Sequence, residues 1–352
     1  MTFSGAGWKE ASLGEICTFK YGKSLPRTIR KGGDFSVYGS NGVVGQHDAA
    51  ITTGQTIVIG RKGSYGEINY SMGPCWPIDT AYYVDETSTH EEIKWLCYRL
   101  ASLGLNQLNK AAAVPGLNRE DAYRQLLLVP PLPEQRRIAA ILDKADALRA
   151  KRREALAQLD SLTQSIFIEM FGDSVTNPRG WKQENLEDFF QFKTGKLDSN
   201  AAVPNGAYPF FTCAKEDSQI DTFAFDCEAL LLAGNNATAD YSVKHYKGKF
   251  NAYQRTYVIT LKNQENSYQY AAFFLENHLL ELKRMSKGSG TKYLTLGLLN
   301  QIRIPVPPVE LQCRFVTRLA GLHRIRTMFK ASLLELDSLF AALQHRAFRG
   351  EL

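Results

Sequence analysis

The sequence predicts an α+β fold made of two similar α/β domains that are separated by two long antiparallel coiled-coil helices. Three observations predict it. The opening of the chain recurs in its second half, each half carries an apolar strand that runs into a glycine-containing loop, and each half ends in a proline cluster followed by heptads. Because the repeat covers a domain together with its helix, we expect a pseudo-twofold internal repeat.

The repeated opening aligns residues 8–24, WKEASLGEICTFKYGKS, with residues 181–197, WKQENLEDFFQFKTGKL. A shift of 173 residues needs no gap across residues 8–23. The identical pairs are Trp8/Trp181, Lys9/Lys182, Leu13/Leu186, Phe19/Phe192, Lys20/Lys193, Gly22/Gly195 and Lys23/Lys196. Such duplication indicates two copies of one structural unit.

The repeat continues beyond this opening. GQTIVIGRKGSYG, residues 54–66, corresponds to CEALLLAGNNATA, residues 227–239, and both are apolar strands that end in polar loops. VPPLPEQ, residues 129–135, corresponds to VPPVELQ, residues 306–312. The shift has then grown from 173 to 177 residues, as small loop insertions produce.

Each proline cluster predicts the start of a long helix, because proline is tolerated in a first helical turn and stops what precedes it. The first helix has two heptad rows, Ile138, Ala145, Arg152, Leu159, Ile166 and Ile141, Leu148, Ala155, Leu162, Glu169. The second has the rows Phe315, Leu322, Phe329, Leu336, Leu343 and Arg318, Ile325, Ser332, Leu339, Arg346, and most of the residues in the four rows are apolar. This 3-4 spacing, sustained over about five heptads, predicts a coiled-coil seam.

The chain length and the repeat together predict the domain boundaries. A chain of 352 residues suits two domains with their own apolar cores. We place the first domain at residues 1–132, the first helix at 133–172, the second domain at 173–309 and the second helix at 310–352.

The composition is typical of a water-soluble chain, with 44% hydrophobic residues and a mean hydropathy of −0.27. It contains no apolar run near the roughly 20 residues that cross a bilayer, and the polar start does not read as a secretory signal. We therefore expect a cytoplasmic protein without a membrane partner. The six cysteines include no C-x-x-C pair, and the net charge of +6 permits a polyanionic partner without requiring one.

The motifs of three enzyme classes are incomplete. YGKS, residues 21–24, has the tail of a phosphate-binding loop, but Cys17 stands where its first glycine is required. TNPRGW, residues 176–181, has one proline too few for the Asn/Asp-Pro-Pro-aromatic segment of a methyltransferase. Neither half repeats the carboxylate and lysine set of a nuclease, and the histidines lack metal-ligand spacing. We therefore expect no catalytic residue, cofactor or metal in this chain.

The order of these elements resembles that of the specificity subunits of type I restriction-modification systems (HsdS). The resemblance rests on the W-x4-L opening at Trp8 and Trp181, on GRKGSYG, on VPGLN (114–118) before PPLPEQRRIAAILDKADAL, and on VPPVELQ with the final FRGEL. It covers essentially the whole chain. It implies that each α/β domain is a target recognition domain that reads one half of a split DNA sequence, and that the helices act as a spacer.

The resemblance also implies partners. These are double-stranded DNA, two methylation subunits docked on the helices and, through the complex, restriction subunits. S-adenosylmethionine and ATP with Mg²⁺ are expected on the partner subunits. Two alternatives stay open: a coiled-coil interaction scaffold with two protein-binding modules, and the recognition part of a fused restriction enzyme.

Candidate DNA contacts follow from the chemistry of base and phosphate recognition. Arg, Lys, Asn and Gln read base edges, whereas Lys, Arg, Ser and backbone amides also hold phosphates. The first domain offers Tyr38, Ser40, Asn41, Arg61, Lys62, Ser64 and Tyr65, and the second offers Asn235, Asn236, Gln254, Arg255, Lys292 and Tyr293. The recurring lysines Lys20, Lys23, Lys193 and Lys196 suit phosphate contacts.

Overall fold

The computed structural model describes residues 7–108, 116–174, 176–236, 241–285 and 292–352. The strands are β1 Lys9–Ser12, β2 Lys20–Tyr21, β3 Phe35–Gly39, β4 Gly42–His47, β5 Thr56–Gly60, β6 Ile68–Ser71, β7 Trp76–Pro77, β8 Ala81–Asp85, β9 Leu126–Val129, β10 Gln183–Asn185, β11 Phe190–Thr194, β12 Tyr208–Phe211, β13 Ser218–Ile220, β14 Phe225–Ala233, β15 Asn235–Asn236, β16 Val243–Ala252, β17 Thr256–Leu261, β18 Lys292–Tyr293 and β19 Arg303–Pro305. The α-helices are α1 Leu13–Ile16, α2 Ile93–Ser102, α3 Arg119–Tyr123, α4 Leu132–Phe171, α5 Leu186–Phe189, α6 Tyr268–Asn277, α7 Leu279–Met285, α8 Leu296–Leu299 and α9 Val309–Ala347.

The chain divides into two compact units. Unit 1 consists of Met1–Glu154 and Lys330–Leu352, and unit 2 consists of Ala155–Phe329. The long helices α4 and α9 therefore each contribute one half to each unit. The domain boundaries inferred from the sequence stay a prediction.

Unit 1 is built around a four-stranded antiparallel sheet of order β2-β8-β5-β6. Unit 1 also has a three-stranded sheet of order β4-β3-β7, and β1 pairs with β9. Strand β5, TIVIG, is buried at every position because both of its faces are covered. Helix α2 packs its buried face on this sheet, so Trp95 and Leu96 join the core of unit 1.

Unit 2 repeats the plan with one difference. Its strands β11-β17-β14-β16 match the order of the four-stranded sheet of unit 1, and β10 pairs with β19 as β1 pairs with β9. The ten-residue strand β16, however, continues into pairing with β12 and gives one six-stranded sheet. In unit 1 the corresponding stretch is broken into β6 and β7 by Gly73 and Pro74, since proline cannot donate to a ladder.

The two long helices pair antiparallel in both units. In unit 1 the Arg149 Nε lies 2.6 Å from Asp337 Oδ1, and the Arg149 guanidinium lies 4.3 Å from the centre of the Phe340 ring. In unit 2 Arg326 pairs with Asp160, and the Phe167 and Phe315 rings are 5.5 Å apart. Residue numbers rise along one helix as they fall along the other, as an antiparallel pair requires.

The seam of this pair corrects one part of the heptad prediction. The first predicted row of each helix, which starts at Ile138 and at Phe315, is confirmed as buried or half-buried throughout. The second row was wrong by one residue. The second buried or half-buried row contains Leu142, Arg149, Leu333, Phe340 and Ala347 in unit 1, and Leu156, Thr163, Met170, Leu319 and Arg326 in unit 2. Apolar residues occur in both rows, so spacing alone did not decide which row faces inward.

A buried glutamine fastens the start of each long helix. Gln135 is 1% exposed; its Oε1 accepts from the Glu92 amide at 2.8 Å, and its Nε2 donates to the Pro130 carbonyl at 2.8 Å. Gln312 is 0% exposed and does the same with the Ser267 amide and the Pro307 carbonyl, at 2.8 and 2.9 Å. Each side chain thus joins the strand exit, the long helix and the start of α2 or α6.

The end of each long helix meets the repeated tryptophan. Gly172 and Gly350 adopt left-handed backbone conformations, with φ of 82° and 72°, that favour glycine beyond a helix end. The Trp181 Nε1 donates to the Phe171 carbonyl at 2.9 Å, and the Trp8 ring lies 3.5 Å from the position of a Cβ at Gly350. The duplicated opening is therefore explained as the element that closes each unit onto a helix end.

We expect Gln312→Ala to lower the free energy of unfolding by about 2–3 kcal/mol, because it removes the partner of the half-buried Ser267 amide and of the buried Pro307 carbonyl. Denaturant unfolding of the full chain measures it. The control is Gln164→Ala on the exposed side of α4, which should stay within about 0.5 kcal/mol. Equal losses in the two variants would contradict the fastening role.

Candidate nucleic-acid interface

The repeated lysines flank a glycine that the fold requires. A Cβ at Gly22 would lie 2.1 Å from the Ile78 carbonyl oxygen, and one at Gly195 would lie 1.7 Å from the Ala252 carbonyl oxygen. Neither position can therefore take a larger residue while the strand keeps its path. Lys23 and Lys196 directly follow these glycines, and both side chains are exposed.

In unit 1 the loop of residues 60–66 is held tightly at the end of strand β5. The Arg61 and Lys62 amides donate to the Thr80 carbonyl at 2.9 and 3.1 Å, and the Leu117 amide donates to the Arg61 carbonyl at 2.9 Å. A Cβ at Gly60 would lie 2.1 Å from the Ser64 carbonyl oxygen, so the turn depends on glycine. The loop is thus a preorganised support for its side chains.

Four of the predicted contacts lie exposed around this loop. Lys62 and Ser64 belong to it, Asn41 forms the turn between β3 and β4, and Lys23 follows β2. Arg61 is half-buried, and none of the described residues places a carboxylate within 4 Å of its guanidinium. These side chains are available to a polyanion. Tyr65 is half-buried and packs on the core of unit 1.

Two other residues predicted to contact DNA are buried and hydrogen-bonded within unit 1. Tyr38 is buried, and its hydroxyl donates to the Tyr70 carbonyl at 3.3 Å. The Ser40 hydroxyl is buried 2.5 Å from the Lys62 carbonyl and 2.7 Å from the Thr80 carbonyl, so it ties the hairpin to the loop. The structure therefore favours supporting roles for both residues.

Lys20 also has a partner within unit 1. Its Nζ lies 3.0 Å from Asp85 Oδ1 and also contacts Thr87. Burial raises the pKa of the Asp85 carboxyl, but the hydrogen bonds from Ser88, Thr87 and Lys20 together lower it by more. The net shift of this pKa is therefore downward. Lys193, the matching residue of unit 2, is exposed, and no described carboxylate lies within 4 Å of it. The two repeated lysines therefore have different surroundings.

In unit 2 the predicted contacts gather where β15 pairs with β18. Asn235 pairs with Tyr293, and Asn236 pairs with Lys292. The Arg255 guanidinium lies 5.7 Å from the centre of the Tyr293 ring. The Gly234 amide donates to the Arg255 carbonyl at 2.7 Å, which holds the two loops together. Arg255, Tyr293 and Asn235 are thus brought into one cluster.

Some of the residues predicted to contact DNA in unit 2 are hydrogen-bonded within the unit, and others are exposed. The Gln254 Nε2 donates to Asp198, and the Asn235 Oδ1 accepts from the Cys213 thiol at 2.9 Å. Lys193 and Lys196 are exposed. The side chain of Asn236, and Val114 and Pro115 of the VPGLN segment, lie outside the described residues.

Sequence reasoning missed two residues of the unit 1 cluster. Tyr21 and Arg119 lie beside Arg61, and both guanidinium groups lie over the Tyr21 ring. Tyr21 stands between the repeated lysines, where the second copy has Thr194, and Arg119 directly follows VPGLN. A difference between the copies inside a repeated motif is the signal that could have identified Tyr21.

Within the described ranges, no group of three or more His, Cys, Asp and Glu side chains is arranged to hold a metal ion. No helix in that part of the chain is long and apolar enough to cross a membrane. The described cysteines are free thiols, and burial raises the pKa of Cys17 and Cys97 to about 12.

Comparison with known proteins defines the class. The family model for the type I restriction modification DNA specificity domain matches residues 6–158 and 178–335. The chain belongs to this family. It is 36% identical over 179 residues to the specificity subunit of the type I restriction enzyme EcoDI of Escherichia coli, and 31% identical over 146 residues to that of EcoprrI from the same species. These matches cover 50% and 40% of this chain, but only 39% and 36% of the two relatives.

Solved structures of low sequence identity share the fold. The S subunit of a type I restriction-modification system from M. genitalium superimposes with a TM-score of 0.63 at 16% identity, over 99% of this chain and 98% of that one. A chain from a study of complex assembly in the type I system gives a TM-score of 0.58 at 17% identity, with 99% of both chains covered. The predicted α+β fold with a twofold repeat is thus confirmed.

The two repeated lysines allow a matched prediction. We expect Lys20→Met to lower the free energy of unfolding by about 1–2 kcal/mol, because the Asp85 carboxylate keeps its hydrogen bonds from Ser88 and Thr87 but loses the Lys20 ammonium. Lys193→Met should leave stability within about 0.5 kcal/mol and, if Lys193 contacts a phosphate, weaken binding to all duplexes with a salt slope smaller by about one. Thermal unfolding and salt-dependent DNA titration measure the two effects. An unchanged stability of Lys20→Met would contradict the ion pair's role.

Proposed function

We propose that this chain is the DNA-reading subunit of a type I restriction-modification complex and that it reads a two-part target, one part with each unit. The observation that carries the proposal is the pair of loop clusters at corresponding places in the repeat. Unit 1 presents Arg61 and Lys62 after β5, and unit 2 presents Asn235 after β14 with Arg255 beside it. The supports are alike and the side chains differ, as two readers of different base sequences require.

The methylation and restriction chemistry comes from partner subunits. The chain itself acts without catalytic residues or a bound cofactor. Methylation subunits, two per complex, supply S-adenosylmethionine chemistry, and restriction subunits join through the complex with ATP and Mg²⁺. Family membership supports this division, since the matched model describes a DNA specificity domain.

An exposed apolar row on the long helices supports docking of the methylation subunits. Leu148 and Leu339 in unit 1 are 52% and 48% exposed, and Leu162 and Ile325 in unit 2 are similarly open. They occupy the row next to the seam, so each helix carries more apolar surface than a two-helix pair buries. A helix of a methylation subunit packed on this row would remove it from water.

Selection from random duplexes tests the proposed reading. The chain, in complex with the methylation subunit of its own system, is mixed with a randomised library, and bound DNA is sequenced. We expect a consensus of two conserved blocks with an unconserved gap. A single block would contradict the two-part reading, and no enrichment would favour a protein-binding scaffold.

Arg61→Ala should relax base preference in one block only. A guanidinium that forks onto guanine contributes roughly 1–3 kcal/mol of discrimination, so one position should lose its preference while the other block is unchanged. The same selection experiment measures it. Equal loss of affinity for the selected and random duplexes would assign Arg61 to the DNA backbone instead.

Leu339→Glu should weaken binding of the methylation subunit at least about tenfold, because it places a charge in the apolar row. Ala341→Glu is the matched control, since it adds the same charge to an exposed position about 200° around α9. Titration of each variant with the methylation subunit, with melting temperatures checked in parallel, measures the effect. Equal affinities of the two variants would rule out docking on this row.

A further inference from the structure

An aromatic cluster at the end of strand β2 carries two arginines. The guanidinium carbons of Arg61 and Arg119 lie 5.2 and 5.6 Å from the centre of the Tyr21 ring. Arg61 also lies 5.8 Å from the Tyr82 ring, and Arg119 lies 5.7 Å from the Tyr123 ring. The Tyr21 ring is 52% exposed, so the cluster opens to solvent. Two cations therefore share one exposed aromatic surface.

The charges of these arginines are poorly compensated within the protein. No described carboxylate lies within 4 Å of Arg61. The Arg119 Nε is buried and makes no hydrogen bond, although a carboxylate oxygen of the exposed Glu120 lies 3.5 Å away. Two neighbouring like charges repel, and a cation–π contact offsets only part of that cost. An arrangement of this kind is stabilised when an anionic or acceptor-rich ligand is bound.

The tyrosines of this cluster pack on the buried Phe19. The Phe19 amide donates to the Tyr123 hydroxyl oxygen at 2.7 Å, and the Phe19 ring lies 5.3 Å from the Tyr123 ring and 5.8 Å from the Tyr82 ring. Tyr82 meets Tyr21 edge to face at 5.1 Å. Phe19 is fully buried in the core of unit 1. The aromatic surface on which the guanidinium groups rest is therefore rigid.

We infer that Arg119 reads a base edge beside Arg61 and that Tyr21 is the positioning residue for both. The inference rests on the proposed function and extends it to two residues. A phosphate accepts a cation from many directions, whereas bidentate contact with guanine O6 and N7 needs a planar fork in a fixed orientation. The aromatic support of Arg119 supplies that orientation. Unit 2 has Thr194 in place of Tyr21, and among its described residues Tyr293 carries one arginine, Arg255, so this reader belongs to unit 1.

The test uses the complex with the methylation subunit and the duplex that the wild-type complex selects. Arg119→Ala should lower affinity for that duplex about tenfold or more, and repeated selection should show lost preference at one or two positions of the block that Arg61 reads. Arg119→Lys should not restore the preference, because an ammonium lacks the fork. Arg124→Ala is the control: Arg124 lies at the end of the same helix, is exposed and pairs with Asp121.

Two substitutions separate positioning from folding. Tyr21→Phe keeps the ring and should bind as the wild type does. Tyr21→Leu should lose the base preferences that Arg61→Ala and Arg119→Ala each lose, at an unchanged melting temperature. Wild-type binding by Arg119→Ala, or an equal loss on selected and random duplexes, would overturn the inference, and a half-site effect of Arg61→Ala would still leave the proposed function standing. If the wild-type complex selects no sequence, the proposed function fails and this inference fails with it.

Discussion

The buried glutamine at the start of each long helix is the interaction on which the rest of the structure depends. Gln135 donates to the Pro130 carbonyl and accepts from the Glu92 amide at the start of α2. Gln312 donates to the Pro307 carbonyl and accepts from the Ser267 amide at the start of α6. A buried amide is stabilising only when its donors and acceptors are all matched, so the geometry admits little variation. The strand exit, the short helix and the long helix of each unit are thereby joined through one side chain.

The two copies of the repeat share the residues that the backbone path requires, and they differ in the side chains exposed on their loops. Gly22 and Gly195 recur because neither position has room for a Cβ, and Trp8 and Trp181 recur because each closes a helix end. The loops after β5 and β14 rest on equivalent strands but expose different side chains. A duplicated scaffold can therefore carry two different recognition surfaces without a change of fold.

The long helices serve two surfaces at once. One pair of heptad rows forms the antiparallel seam in each unit, and the neighbouring row keeps leucine and isoleucine side chains in solvent. The seam between two helices leaves these leucine and isoleucine side chains uncovered. This exposed apolar surface is where the proposed docking of the methylation subunits would take place.

The repeat, the two long helices and the loops that carry polar side chains are predictable from the amino-acid sequence, because repeats, proline clusters and heptad spacing are patterns along the chain. The inward heptad row, the burial of Tyr38, the pairing of Lys20 with Asp85 and the meeting of Arg61 and Arg119 over Tyr21 are visible only in the folded structure. Each of these depends on residues distant in sequence, and a side chain's burial and charge partner are properties of the packed neighbours rather than of the chain around it.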